Sequence, residues 1–321
     1  MTYDLMIAGL GLVILLLAGD ALVRGAVNIA LRLGIPALIV SLTIVAFGTS
    51  APELLISVKA VRDNAGGLAL GNVVGSNIAN ILLVLGVPAL LRVLATKDHD
   101  TRRSFMFMVA GSLLFIALGF LGPIRWWHGL VLVAALAGVL WDAIHTARSH
   151  RRATATQDYG ADEEEELEGA DPTMPWWKIG LFTVLGLVGL PLGADLLVDS
   201  SVRIATVLGV SDTVIGLTLV AIGTSLPELA TTVMAALRNQ ADVALGNVIG
   251  SNMFNLLAII GIASFVGPIP VDPEILQFDL WVMLAASLAL IPFVFLRQNM
   301  GRAVGVIFSL LYVAYLVVVV S

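Results

Sequence analysis

The 321-residue sequence contains no cysteine, which excludes a disulfide framework and any thiolate metal site. Charge is also scarce. Asp, Glu, Lys and Arg supply 12% of the residues, against about 25% in a soluble domain. The four histidines (His99, His128, His145 and His150) are expected in or near loops, which argues against a zinc cluster. What the chain has in abundance is apolar sequence: 59% of its residues are hydrophobic and the mean hydropathy is +0.98. Such a balance fits a polytopic membrane protein and little else. The net charge of −6 comes largely from one acidic run and says little about partners; no nucleic-acid partner is expected.

Ten apolar segments are expected, at about 4–31, 35–61, 66–91, 103–121, 124–146, 176–206, 210–237, 241–267, 277–296 and 301–320. Each can cross a hydrocarbon core of ~30 Å. The first follows Met-Thr-Tyr-Asp without a basic lead-in, so it reads as a transmembrane helix and not as a cleaved signal peptide. One real linker, 147–175, opens basic (Arg148, His150, Arg151, Arg152) and turns acidic (Asp162, Glu163, Glu164, Glu165, Glu166, Glu168, Asp171). It divides the chain into a first five-helix half, 1–146, and a second, 176–321. The acidic run is read as a solvated linker, since it lacks the spacing of an EF-hand loop.

Lys and Arg concentrate in alternate connections, among them Arg32, Arg92, Lys97, Arg102, Arg103, Arg148, Lys178, Arg238, Arg297 and Arg302, whereas Lys59, Arg62, Arg125 and Arg203 fall on the other side. The positive-inside rule then puts both termini outside and the linker in the cytoplasm. The pairs Trp126-Trp127 and Trp176-Trp177 sit at segment starts, as in an aromatic belt. The small size points to a monomer in a prokaryotic inner (plasma) membrane.

The halves repeat. Gly48-Thr49-Ser50-Ala51-Pro52-Glu53 returns as Gly223-Thr224-Ser225-Leu226-Pro227-Glu228, an offset of 175 residues. The same offset aligns Asp20 with Asp195 and Gly34 with Gly209. It also carries Gly71-Asn72-Val73-Val74-Gly75-Ser76-Asn77-Ile78-Ala79-Asn80 onto Gly246-Asn247-Val248-Ile249-Gly250-Ser251-Asn252-Met253-Phe254-Asn255. Across 41–86 against 216–261 roughly half the positions are identical, far above chance for an internal comparison. Five crossings per half force the second half into the opposite orientation. The expected fold is therefore an all-α integral membrane protein of ten transmembrane helices, arranged as two inverted five-helix repeats with a site near the midplane.

Glu53 and Glu228 are the first candidates for that site. A carboxylate within an apolar run is costly unless it meets partners, water or a cation. Pro52 and Pro227 break the helix beside it and free carbonyls, so the carbonyls of Ala46 and Ala221 join the candidates. Thr49, Ser50, Thr224 and Ser225 would elsewhere be hydroxyls bonded back to their own helix. Three or four residues from a carboxylate in a broken helix, they read as ligands. Ser76 and Asn80, like Ser251 and Asn255, are four apart and share one helix face, read as lining the site. Asn72, Asn77, Asn247 and Asn252 point elsewhere and read as structural. Gly71 with Gly75, and Gly246 with Gly250, read as close-packing pairs. Asp20 with Arg24, and Asp199 with Arg203, read as i,i+4 ion pairs. All-oxygen donors suit a hard cation such as Na⁺ or Ca²⁺; two carboxylates suit one divalent ion or more than one Na⁺. A membrane hydrolase would need a nucleophile or metal constellation that is missing, and a passive channel commonly builds its pore around a symmetry axis.

The paired Gly-Thr-Ser-x-Pro-Glu and Gly-Asn-Val-x-Gly-Ser-Asn-x-x-Asn motifs resemble the two α-repeats of the sodium/calcium exchangers, within the calcium/cation antiporter superfamily. The resemblance covers 35–91 and 210–267, and the ten-segment layout agrees. It implies a Na⁺/Ca²⁺ antiporter with no cofactor, working by alternating access, with a central diamond of cation positions bridged by Glu53 and Glu228. Thr49, Ser50 and Ser76, with Thr224, Ser225 and Ser251, would serve the flanking positions, and Asn80 and Asn255 the middle. The first and sixth helices would slide across the core. Some relatives carry Asp where this chain has Asn255, which leaves this site one negative charge poorer and argues against K⁺ co-transport. The proton-coupled branch usually shows Gly-Asn-x-x-Glu in place of Gly-Thr-Ser-x-Pro-Glu, so Na⁺ is the expected driver and H⁺, or another divalent cargo, the alternative.

Overall fold

In hydrocarbon each backbone amide and carbonyl must be paired within its own segment, and a helix achieves this. The computed structural model describes residues 2–96, 101–156, 171–208 and 221–320. Among them all regular structure is helical, and β pairing is limited to the isolated bridges Leu94–Met300 and Ile124–Ile269. The helices are α1 (Thr2–Leu33), α2 (Ala37–Thr49), α3 (Ala51–Arg62), α4 (Gly66–Leu91), α5 (Arg102–Gly119), α6 (Trp126–Thr156), α7 (Trp176–Val207), α8 (Ala221–Thr224), α9 (Leu226–Leu237), α10 (Ala241–Val266), α11 (Ile275–Val294) and α12 (Arg302–Val320). Eight are individually long and apolar enough to span a bilayer, and α2 with α3 forms a further span bent by 44°. The expected segment 210–237 is described only from Ala221, as α8 and α9.

As expected, segment 35–61 is two helices, because Pro52 cannot continue the α2 hydrogen-bond ladder. The structure departs from the expected segments in two places. Segment 124–146 runs on as α6 to Thr156. His128 and His145 lie on that helix and not in loops, with His128 buried in its first turn.

The turns are duplicated as faithfully as the helices. Helix α3 ends with Asn64 at φ 59°, and α9 ends with Asn239 at φ 56°. In the first, Ala65 N–H donates to Ala60 O (2.7 Å) and Asn64 N–H to Val61 O (3.1 Å). In the second, Gln240 N–H donates to Ala235 O (2.8 Å) and Asn239 N–H to Ala236 O (3.1 Å). This is the Schellman pattern, with Asn supplying the left-handed residue.

The bundle has two ends. At the linker end Leu94 pairs with Met300, Arg92 donates to Leu237 O (2.6 Å) and Arg32 donates to Met174 O (2.7 Å). At the termini end Ile124 pairs with Ile269 and Arg203 meets Asp4 (2.8 Å). Helices α4 and α10 run antiparallel through the middle and are the most deeply buried spans. Helices α1 and α7 lie antiparallel on the outside, where Gly11, Gly186 and Gly193 let the backbones meet: a Cβ on any of them would stand 2.5–2.8 Å from the opposite helix. All six tryptophans are exposed, with Trp126, Trp127 and Trp281 at the termini end and Trp176 and Trp177 at the linker end.

Asp20 pairs with Arg24 (2.9 Å), as the spacing predicts, and also with Arg238, which the spacing does not. The expected Asp199–Arg203 pair is not formed. Arg203 turns to Asp4 (2.8 Å) and to the Ser200 hydroxyl (3.0 Å), because α7 lies against the start of α1 and offers the guanidinium a partner across the interface.

Candidate cation site

Both broken helices present their carboxylates in the same way. The junction residues Ser50 (φ −83°, ψ 5°) and Ser225 (φ −88°, ψ 3°) are nearly superposable in conformation. Pro52 and Pro227 follow in the first turn, where a missing N–H costs nothing. Glu53 and Glu228 come next, in the same turn, where the helix dipole favours a negative charge. Both are buried, at 1% and 0% exposed.

The site is closed across the two halves. The Ser50 hydroxyl donates to Glu228 Oε1 (3.1 Å), and the Ser251 hydroxyl donates to the same oxygen (3.4 Å). The Thr49 hydroxyl lies 3.4 Å from that of Ser251 and donates to Asn247 Oδ1 (3.2 Å). Thr49 Oγ1 also reaches Ala46 O (3.3 Å), and Ser50 N–H donates to the same carbonyl (3.1 Å), so Ala46 O already accepts two bonds. Ala221 stands at the start of α8, the equivalent place in the second copy.

Asn80 and Asn255 each fall in a π-helical stretch, Asn80–Val84 in α4 and Phe254–Ile259 in α10. Such bulges widen a helix locally and turn side chains off the regular face. The two asparagines are tied down reciprocally. Asn80 Nδ2 donates to Asn252 Oδ1 (3.0 Å), and Asn255 Nδ2 donates to Asn77 Oδ1 (3.0 Å). Asn77 Nδ2 donates to Asn252 O (3.2 Å), and Asn252 Nδ2 donates to Asn77 O (3.3 Å). Each bond has its copy 175 residues on.

Among the described residues eight buried side-chain oxygens have no protein partner, and six of them belong to this site: Glu53 Oε2, Glu228 Oε2, Ser76 Oγ, Ser225 Oγ, Asn80 Oδ1 and Asn255 Oδ1; the other two are Gln240 Oε1 and Ser309 Oγ. Each of the six belongs to a residue singled out from the sequence. A buried oxygen without a donor is costly. The asparagine amides spend their N–H groups on Asn77 and Asn252, which leaves the carbonyls free. Thr224 lines the cavity beside Ser76.

Asn77, Asn247 and Asn252 do not point elsewhere, as their position off the Ser/Asn face implied. Asn77 and Asn252 orient the two site amides. Asn247 accepts from Thr49 and donates to Glu228 O (3.4 Å) and to Thr232 Oγ1 (3.2 Å). Helical spacing missed them because α4 and α10 are mostly buried, so more than one face of each meets a neighbour. Asn72 keeps a supporting role, donating to Ser57 Oγ (3.3 Å). A Cβ on Gly250 would stand 2.5 Å from Leu42 O, and one on Gly246 2.8 Å from Leu38 O. A Cβ on Gly71 or Gly75 meets no described neighbouring element within 4 Å, and the positions that the repeat places over them, 213–217, lie outside the described residues.

Among the described residues no three His, Asp or Glu side chains cluster. The donors are two carboxylates and neutral oxygens, which is hard-cation chemistry.

These features define a polytopic helical membrane protein with a buried, oxygen-lined centre where two broken helices meet. Comparison with known proteins gives the family. The model of the family described as "Sodium/calcium exchanger protein" matches residues 4–144 and 178–321. The chain is 38% identical to the putative antiporter CaxA of Alkalimonas amylolytica, over 95% of each chain. It is 36% identical to the sodium/calcium exchanger MaX1 of Methanosarcina acetivorans, over 99% of this chain and 98% of the relative. A solved structure of the sodium-calcium exchanger NCX_Mj superposes with a TM-score of 0.80 at 30% identity, covering 98% of each chain. The chain belongs to the sodium/calcium exchanger family, a family of transporters and not of enzymes.

Proposed function

We propose that this protein is a secondary antiporter that exchanges Na⁺ for Ca²⁺ across a prokaryotic inner membrane, with both ions as substrates and no cofactor. The observation that carries the reading is the set of six buried oxygens without partners, drawn from both halves around Glu53 and Glu228. One divalent ion between the carboxylates, or several Na⁺ among the surrounding oxygens, relieves both their repulsion and the missing hydrogen bonds. Glu53, Glu228, Thr49, Ser50, Ser76, Asn80, Thr224, Ser225, Ser251 and Asn255 are the ligands, with the Ala46 and Ala221 carbonyls beside them.

Ten transmembrane helices form two inverted five-helix repeats, 1–146 and 176–321, joined by a cytoplasmic linker at 147–175, with both termini outside. The reciprocal bonds between Asn77 and Asn252 support this, since a pair in which each residue makes the other's contact implies a twofold axis, and α4 and α10 run antiparallel across it. Inversion supplies two related conformations, hence alternating access. The glycine-lined contact holds α1 and α7 together as a pair, and that pair slides across the core. The protein works as a monomer in the lipid bilayer.

The test is Ca²⁺ uptake into proteoliposomes loaded with Na⁺ and diluted into Na⁺-free medium, with Glu53→Ala and Glu228→Ala alongside. Uptake driven by Na⁺ and absent from both variants is expected. Uptake that follows a proton gradient and ignores Na⁺ overturns the assigned driver, and no uptake under either gradient overturns Ca²⁺ as cargo.

A further inference from the structure

Several carboxylates within the spans take no part in the centre, among them Asp20, Asp142, Asp195, Asp199 and Asp279. Asp279 closes the π-helical stretch Ile275–Asp279 that opens α11. The Tyr315 hydroxyl of α12 donates to Asp279 Oδ1 (2.9 Å), and that is its one hydrogen bond. Tyr312, one turn earlier on α12, is buried. All three line a cavity of ≈ 340 Å³ at the termini end, together with Gly71, Asn72, Gly75 and Ser76 of α4 and Thr224 of α8. At the other side of that cavity the Ser76 hydroxyl is 3% exposed and has no partner. The cavity therefore joins Asp279 to two residues of the central donor set.

The half-repeat sharpens the point. The offset that aligns Glu53 with Glu228 places Ser104 opposite Asp279. At the linker end Ser104 lines a cavity too, with Arg103 and Asp142, which pair with each other, and with Asp242. At the termini end Asp279 stands beside Ser76 and Thr224 with one oxygen to spare, and Asp195 and Asp199 line a smaller cavity with Thr224. An ionisable group at membrane depth is retained when it serves an ion path.

We propose that Asp279, held by Tyr315, is an accessory Na⁺ station that loads the central site from the termini end through Ser76 and Thr224. It rests on the antiporter reading and adds a residue to it. One carboxylate, a phenol hydroxyl and neutral side-chain oxygens carry a single negative charge. That suits a monovalent hard cation, whereas Ca²⁺ takes six to eight oxygens and commonly more than one carboxylate.

The experiment uses the full chain in two settings. In detergent, ²³Na NMR relaxation measures Na⁺ binding by the parent, Asp279→Asn, Asp279→Glu and Glu228→Gln. In oriented proteoliposomes, half-saturation for Na⁺ and for Ca²⁺ is measured from each side. Asp279→Asn is expected to lose one component of Na⁺ binding and to raise half-saturation for Na⁺ from the termini side by about fivefold, the scale of removing one charge in a hydrated site. Half-saturation for Ca²⁺, and for Na⁺ from the linker side, should stay as in the parent, and Asp279→Glu should restore binding. Parent-like Na⁺ binding in Asp279→Asn overturns the station, as does an equal shift for Na⁺ and Ca²⁺. Loss of maximal exchange in Tyr315→Phe as deep as in Asp279→Asn would mean a structural pin between α11 and α12, and also overturns it. Unchanged Na⁺ binding in Glu228→Gln instead strikes the central site and leaves the station standing.

Discussion

The two copies of Gly-Asn-Val-x-Gly-Ser-Asn are alike in sequence, and the described residues around them differ. In the second copy α2 lies on Gly246 and Gly250, close enough that the Leu42 carbonyl would meet any side chain, and the Ser41 hydroxyl donates to Val243 O (2.6 Å). In the first copy Gly71 and Gly75 border the 340 Å³ cavity, and the positions that the 175-residue offset places over them, 213–217, lie outside the described residues. The flanking charges differ as well. Asp20 is held by Arg24 and Arg238, while its counterpart Asp195 makes no ion pair among the described residues and lines a smaller cavity with Thr224. Among the described residues one flank is pinned by ion pairs and the other is open, without one. The motif encodes the capacity for close helix approach, and the approach itself depends on where the opposing helix stands.

The sharpest way to break this comparison is to fill Gly250. Gly250→Val drives a branched side chain into the α2 backbone and should destabilise the protein by about 3 kcal/mol, the upper end for overpacking. Thermal unfolding in detergent reads it, and a parent-like melting temperature would mean that α2 does not press on Gly250.

Next in size are the asparagines across the axis. Asn77→Ala and Asn252→Ala each remove bonds to the backbone and side chains of the opposite helix, at about 2 kcal/mol apiece, since buried partners lose their bonds. Because the network is shared, the double variant should cost clearly less than the sum. Additive losses in a double-mutant cycle would show that the reciprocity carries no coupling.

The ion pairs give a smaller contrast. Arg238 and Asp20 have side chains 17% and 19% exposed, so Arg238→Met should lower stability by about 1–2 kcal/mol, between the surface and buried cases. Asp195→Asn should cost nothing measurable. A melting shift for Asp195→Asn as large as that for Arg238→Met would reverse the assignment of pinned and open ends. Smallest of all is Arg203→Ala. Its guanidinium is half exposed, and the loss of the Asp4 pair should amount to no more than about 0.5 kcal/mol by the same melting assay.

Much of the centre was legible before folding. A carboxylate after Thr-Ser-x-Pro in an apolar run is a local signal, and its duplication marks both copies. The Asn77–Asn252 lattice was not legible, because helical spacing sorts residues by face and α4 and α10 each bury more than one face. Nor was the Arg238–Asp20 pair, whose partners are 218 residues apart, or the choice of Arg203 for Asp4 over Asp199. Local spacing names every partner within reach along one helix and none across an interface.

By itself the sequence determined the membrane, the broken helices, the residue types of the centre and their duplication, because hydropathy, proline and intramembrane charge act over a few residues. The tertiary structure decided which oxygens are left without partners, which asparagines orient the site, and how closely α2 approaches Gly246 and Gly250. Those depend on the placement of one half against the other, and two nearly identical motifs carry no record of it.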